Sequence, residues 1–238
     1  MNMRIAGYGI IPLGEYEYVT ISGSCKLDGL VECKSFTCDG ACKGVAIDCV
    51  GDVKFSGSGA FIGNLHGANI SAAGSLSCGG DMVADGKIDC AGRVKCKGSI
   101  KCNELTLSGG ADVGADIQAD CVEVHGSVSC GKQLKAEKIE IKADGGTEID
   151  GVCGGQIKIG LSKPKSFFKK LPLIRKAFKG VYVKTCVEGK DVALDCVRCP
   201  KVVGENVTLG DECEIELVQY TESLQVSPKA KVGKSEKI

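Results

Sequence analysis

A chain of 238 residues with 30 basic and 30 acidic side chains carries no formal net charge, which excludes bulk electrostatic attraction to nucleic acid. Thirty-four glycines, 16 cysteines, 5% aromatic residues and no tryptophan exclude a core built on large rings, with glycine at about twice its usual share. No run approaches 18 apolar residues, so no membrane-spanning helix is expected, and near-zero charge favours self-association over colloidal repulsion.

The chain opens MNMRIAGYGIIPLG. The opening has no long apolar stretch of signal-peptide type, so a cytoplasmic chain with reduced thiols is expected. Residues 1–18 read as a lead-in. Gly7, Gly9, Pro12 and Gly14 act there as breakers of regular structure, while Tyr8, Ile10, Ile11 and Leu13 are available to plug the open end of the first coil. The alternative is a membrane-touching tail, which lacks a basic cluster.

Residues 19–160 carry an internal repeat. Gly23, Gly40, Gly57, Gly74, Gly92, Gly109 and Gly126 recur at about 17-residue intervals. A second ladder runs Gly29, Ala46, Gly63, Gly80, Gly98, Ala115, and a third runs Gly51, Ala68, Gly86, Asn103, Asp120. Before the rungs of the first ladder stand apolar pairs two apart: Phe36/Cys38, Val53/Phe55, Ile70/Ala72, Ile88/Cys90, Leu105/Leu107, Val122/Val124 and Ile139/Ile141. Spacing of two puts both side chains on one face of a strand. Three short strands and three corners per repeat predict an all-β chain, a parallel β-helix of about 17 residues per coil. Glycine suits the corners through its backbone freedom.

The cysteines fall largely on inward strand positions: Cys25 and Cys42, Cys38, Cys78 and Cys96, Cys90, Cys102 and Cys130. They read as small apolar core residues. A disulfide ladder between stacked neighbours is the alternative, and side chains pointing the same way disfavour it. His66 and His125 are the only histidines. They read as surface corner residues without convergent partners for catalysis.

Residues 161–180 interrupt the repeat. Lys163, Lys165, Lys169, Lys170, Arg175, Lys176 and Lys179 are basic and none is acidic. Phe167, Leu171, Ile174 and Phe178 recur at helical spacing, with Phe168 beside them. Pro172 predicts a kink or two short helices. A basic amphipathic segment suits an anionic membrane surface or an acidic partner, and the other reading lays its apolar stripe on the solenoid flank. Residues 181–233 return to strands and make further coils. Cys196 and Cys199 form a CxxC without a second pair or a nearby histidine. Zinc is therefore not expected, although Cys186 and Cys213 offer further thiols if the fold brings them together. Residues 234–238 read as a solvated tail.

The run KVVGENVTLGDECEIELVQYTESLQVSPKAKV, residues 201–232, resembles bactofilins, bacterial polymer-forming cytoskeletal proteins, and the glycine-punctuated strands of residues 19–160 resemble the same family's repeat. The resemblance implies a right-handed parallel β-helix that polymerises end to end without nucleotide. It also implies a scaffold role at the inner face of the cell membrane, in cell shape, polar organisation or support of surface machinery. Typical members have a single shorter β-helix between disordered tails, whereas here the helix is long and a basic segment interrupts it. Open solenoid ends expose unpaired strand edges and core, which favours joining of copies. Val19 and Ile21 at the start, and Leu224 and Val226 at the finish, are the expected self-association residues, with the chain itself as partner. Left-handed β-helix acyltransferases and carbohydrate-active β-helices are the enzymatic alternatives. The former want a strict six-residue register, the latter paired carboxylates on one face. Neither pattern is present, so no catalytic residue and no cofactor are expected.

Overall fold

The computed structural model describes residues 1–162 and 180–238. The chain divides into two compact units, Met1–Ala119 and Asp120–Ile238. Among the described residues the regular structure is entirely β-strand, and the strands pair in parallel as a β-solenoid of about 17 residues per turn.

In unit one each coil has three walls. The first wall is a column of rungs in which Met3 pairs with Val19, Val19 with Phe36, Phe36 with Val53, and Val53 with Ile70. Ile88 and Leu105 continue it. On the second wall Gly9, Cys25, Cys42, Gly59 and Leu76 stack in register. The third wall carries Tyr16, Cys33 and Cys49, with Ile47, Leu65, Met82, Ile100 and Ile117 forming its inner column. Alternation along every strand sends these residues inward, where almost all are buried. A single coil cannot bury its own interior, so apolar contact between coils holds the stack together.

The glycine column before the second wall has a steric cause. A Cβ on Gly40, Gly57, Gly74 or Gly92 would fall well inside 3.0 Å of the carbonyl oxygen of the glycine one coil below. Contact between backbones requires glycine there, whatever its φ. Glycine also serves inside the core. A Cβ on Gly59 would sit 2.8 Å from Leu76 and 3.0 Å from the Phe55 ring. Its absence makes room for the tilted ring series Phe36–Phe55–Phe61, with centroids 5.6 Å apart in each pair.

Unit two has its own three walls. On the first, Ile139 pairs with Ile157, Ile157 with Val192, Val192 with Val207 and Val207 with Leu224. On the third, Leu134, Val152, Val187, Val202 and Val218 stack. On the second, Thr147, Val181 and Val197 stack, and Cys199, Ile215 and Val232 continue the wall. Residues 181–226 therefore continue the stack begun by residues 121–161. The segment expected to be helical lies, for residues 163–179, outside the described residues. It leaves after Leu161 and rejoins before Val181, at the corner between first and second walls. Neighbouring coils cross that corner with Asp144–Gly146, Asp195–Cys196 and Gly210–Cys213.

Both termini depart from the sequence reading. Residues 1–18 are a coil of their own: Met3–Ile5 and Tyr8–Ile21 are strands paired to the next coil. Pro12 and Gly14 flank a register shift instead of ending the strand. A proline is tolerated at such an irregularity on an edge. The expected tail also includes a strand, Lys231–Lys237, paired to Glu214–Tyr220.

Candidate functional site: the terminal coils

The first coil of unit one pairs on one side only. Met3–Ile5 and Tyr8–Tyr16 bond to the second coil, and no described strand pairs with their other edge. A strand edge of this kind presents backbone donors and acceptors that another chain can use. Around it Met1, Tyr8, Ile10, Leu13 and Tyr18 are exposed, Tyr8 at 77% and Leu13 at 71%. Ile11 is buried beneath this rim, and Tyr16 hydrogen-bonds the Pro12 carbonyl at 3.0 Å. Single exposed apolar residues are ordinary, and among these Tyr8 and Ile10, two apart on one strand, share an outward face.

The last coil of unit two is built differently. Leu224 and Val226 form its first-wall rung, paired only to Val207 and Leu209, and Val226 is 43% exposed. Val232 continues the second-wall column above Ile215. On the third wall the apolar column ends, because Ser235 stands where Val218 stands below it. Lys231 and Lys229 reach back one coil to Glu214 and Asp211, at 3.1 and 2.8 Å.

Of the expected self-association residues, Leu224 and Val226 lie on the last rung. Val19 and Ile21 do not lie on an end. They are 1% and 0% exposed, covered by Met3 and Ile5 of the preceding rung. Of the lead-in residues expected to plug the open end, only Ile11 turns inward and is buried, while Tyr8, Ile10 and Leu13 are exposed; with Met3 and Ile5 they are side chains of the terminal coil. Exposed apolar residues beside glycines are the sequence signal for this. Lys165, Phe167, Phe168, Lys169, Lys170, Arg175, Lys176 and Lys179 lie outside the described residues.

Elsewhere the polar groups are engaged with one another. His66 stands on an outward strand position rather than a corner. Its Nδ1 is 2.7 Å from Asp48 and its Nε2 3.6 Å from Asp85. The hydrogen bond to Asp48 raises the His66 pKa above the ordinary imidazole value, against a smaller opposing effect of burial. His125 pairs with Glu123 at 2.7 Å. A groove of about 550 Å³ on the second wall of unit two is lined by Tyr182, Arg198, Glu214 and Lys231. Glu214 bonds both Lys231 and Arg198, at 3.1 and 2.9 Å, and the Lys231 hydrogen bond holds its carboxyl below the usual range.

All 16 cysteines are free thiols. Their corner chemistry is not evident from the sequence. Cys199 donates to the Lys201 carbonyl at 2.9 Å, Cys213 to Leu194 at 3.4 Å, and Cys49 to Asp52 at 3.6 Å. Cys78 Sγ lies 3.1 Å from the Gly63 oxygen. An inward thiol at a strand end thus satisfies a corner carbonyl, which a methyl group of similar size would not. Contact with Cys49 pushes the Cys33 thiol up and Cys49 down, and Cys96 and Cys78 show the same split. Among the described residues no group of three or more His, Cys, Asp or Glu side chains could hold a metal ion.

The fold defines the class: this is a β-solenoid protein. No family model, curated protein or solved structure matches the chain.

Proposed function

We propose that the protein is a non-catalytic, self-assembling scaffold of the bacterial cytoskeleton, of bactofilin type, whose copies join through their terminal coils without nucleotide. The observation that carries this reading is the free strand edge of the first coil, rimmed by Tyr8, Ile10 and Leu13. Joining two edges pairs backbone groups and removes apolar surface from water in one step, at about 25 cal/mol per Å² of apolar area. Leu224 and Val226 offer a second, smaller apolar edge. Contact between unlike ends, or alternation of like-end contacts, grows a filament; a single like-end contact closes a dimer. The scaffold would work in the cytoplasm, against the inner face of the cell membrane, in shape or in positioning membrane-associated machinery.

Negative-stain electron microscopy of the reduced protein at two salt concentrations tests this reading. Filaments or sheets without nucleotide are expected. Ile10→Asp with Leu13→Asp should reduce them to short particles. Uniform short particles from the unaltered chain at both salts would sink the proposal.

A second reading is a non-polymerising adaptor that docks a membrane or a partner through residues 161–180. One observation favours it: Val152 pairs with Val187, and Ile157 with Val192, across the excursion. The coils on either side of that segment therefore hold their register through their own pairing, which is compatible with a separate role for it. Liposome pelleting that vanishes on its removal would support docking; unchanged pelleting would exclude it.

A further inference from the structure

Two pairs of cysteines stack in register on the inner walls of unit one: Cys33 with Cys49, and Cys78 with Cys96. Cys25 and Cys42 also stack, but there Cys42 bonds Cys38 as well, so they are not a two-thiol site. The four cysteines of the two pairs are buried and free. Each pair belongs to adjacent rungs of one wall, so its two side chains point the same way about 4.8 Å apart at the backbone. A disulfide does not fit this arrangement, because it needs Cβ atoms about 3.8 Å apart and a sulfur–sulfur bond near 2.05 Å. One atom placed between the two sulfurs does fit. Two metal–sulfur bonds of roughly 2.3 Å, the zinc–thiolate length, span about 4.6 Å. The rung spacing thus accommodates a linear, two-coordinate cation without moving the backbone.

We propose that these in-register thiol pairs bind soft monovalent cations, Cu(I) with Ag(I) as its analogue, one ion per pair, each tying two adjacent coils together. Sulfur donors select Cu(I) over harder cations. Zinc wants four donors in tetrahedral array, and no such group exists among the described residues. Charge also favours a monovalent ion in an apolar core. The cation forms one bond to each sulfur, one S–H bond breaks, and one proton leaves to solvent. The site then holds one thiolate, one thiol and one positive charge, and stays neutral. The pairs occur in sequence at intervals close to one coil, so a linear reading shows only core-forming cysteines.

The test is anaerobic titration of the reduced full-length protein with Cu(I) against a competing Cu(I) chelator. One tight equivalent per pair is expected, with one proton released per ion in weakly buffered solution. Cys33→Ser with Cys49→Ser should remove one equivalent, and Cys78→Ser with Cys96→Ser another. Cys153→Ser, at an exposed thiol, should leave the tight equivalents intact. X-ray absorption on the loaded unaltered protein should show two sulfur neighbours, and this holds even if a variant fails to fold. Unchanged stoichiometry in a folded pair variant would overturn the proposal. So would three or more sulfur neighbours, nitrogen or oxygen ligands, or loss of the tight equivalents with Cys153.

Discussion

The corner between first and second walls is closed in opposite ways in the two units. In unit one it is a column of glycines, each forbidden a Cβ by the carbonyl of the coil below. In unit two the corner holds Cys196 and Glu212, non-glycine residues with φ of 58° and 55°, and it opens in one coil to the segment ending at Gly180. The difference teaches that close backbone contact tolerates an excursion where the rejoining residue is itself glycine: a Cβ on Gly180 would lie 2.4 Å from the Cys196 carbonyl oxygen. Where successive corners touch along the whole column, each coil needs its own glycine there. Where corner lengths already vary, as in Asp144–Gly146, Asp195–Cys196 and Gly210–Cys213, a coil can carry extra chain.

The strongest way to break this comparison is to put a side chain into the glycine column. Gly57→Val should destabilise the protein by about 3 kcal/mol or more, because backbone atoms of the coil below must move. A near-neutral result in denaturant unfolding would show that the coils can part at no cost. The left-handed corner of unit two should answer in the other direction. Cys196→Gly relieves a conformation that costs a side-chain-bearing residue roughly 1–2 kcal/mol, offset by glycine's own entropy. Stability should rise by up to about 1 kcal/mol in the same measurement, and a clear loss would show that the thiol outweighs the strain.

Replacing residues 162–180 with the Asp-Gly-Gly of the Asp144–Gly146 corner should leave the β-sheet circular dichroism of the stack in place. It should raise stability by about 0.6 kcal/mol, the entropy of halving a closed loop. Loss of cooperative unfolding would mean that the segment is part of the core. The smallest effect concerns His66, on a strand of unit one. Its folded pKa is raised, so its contribution is fully present below the unfolded value of about 6.5 and is lost as pH rises through the folded value. The side chain is about a third exposed, and solvent screening keeps the effect to a few tenths of a kcal/mol. Unfolding profiles across this window should slope downward for the unaltered protein and flatten in His66→Asn.

Much of the fold is legible because the repeat is strict where coils touch. Phe36/Cys38, Val53/Phe55 and Ile70/Ala72 announce a first wall, and the glycine ladder announces the corner, although backbone contact rather than backbone freedom explains it. The terminal coils are not legible. Gly7, Pro12 and Gly14 carry the signature of broken structure, and only the register with Ser24–Cys38 shows that they lie on a coil. Periodicity alone therefore puts Val19 and Ile21 on an end when they lie one rung inside it. The continuity of unit two is hidden by distance, since Thr185 bonds Asp150 across 35 residues, twice the interval that sequence periodicity exposes. Gly59 belongs to none of the three ladders, and only the structure shows that it faces inward to admit the Phe55 ring.

The 35-residue interval has a kinetic consequence. Most contacts in this chain join residues about 17 apart, as Lys34 joins Glu17. Such stacks zip coil by coil, each step closing a short loop. The coil that carries the excursion must close a loop of double length before its first rung can form. At about 0.6 kcal/mol per doubling, that closure is roughly threefold slower than its neighbours. In refolding, the strands up to Leu161 can therefore stack on one another before Val181 joins Thr147.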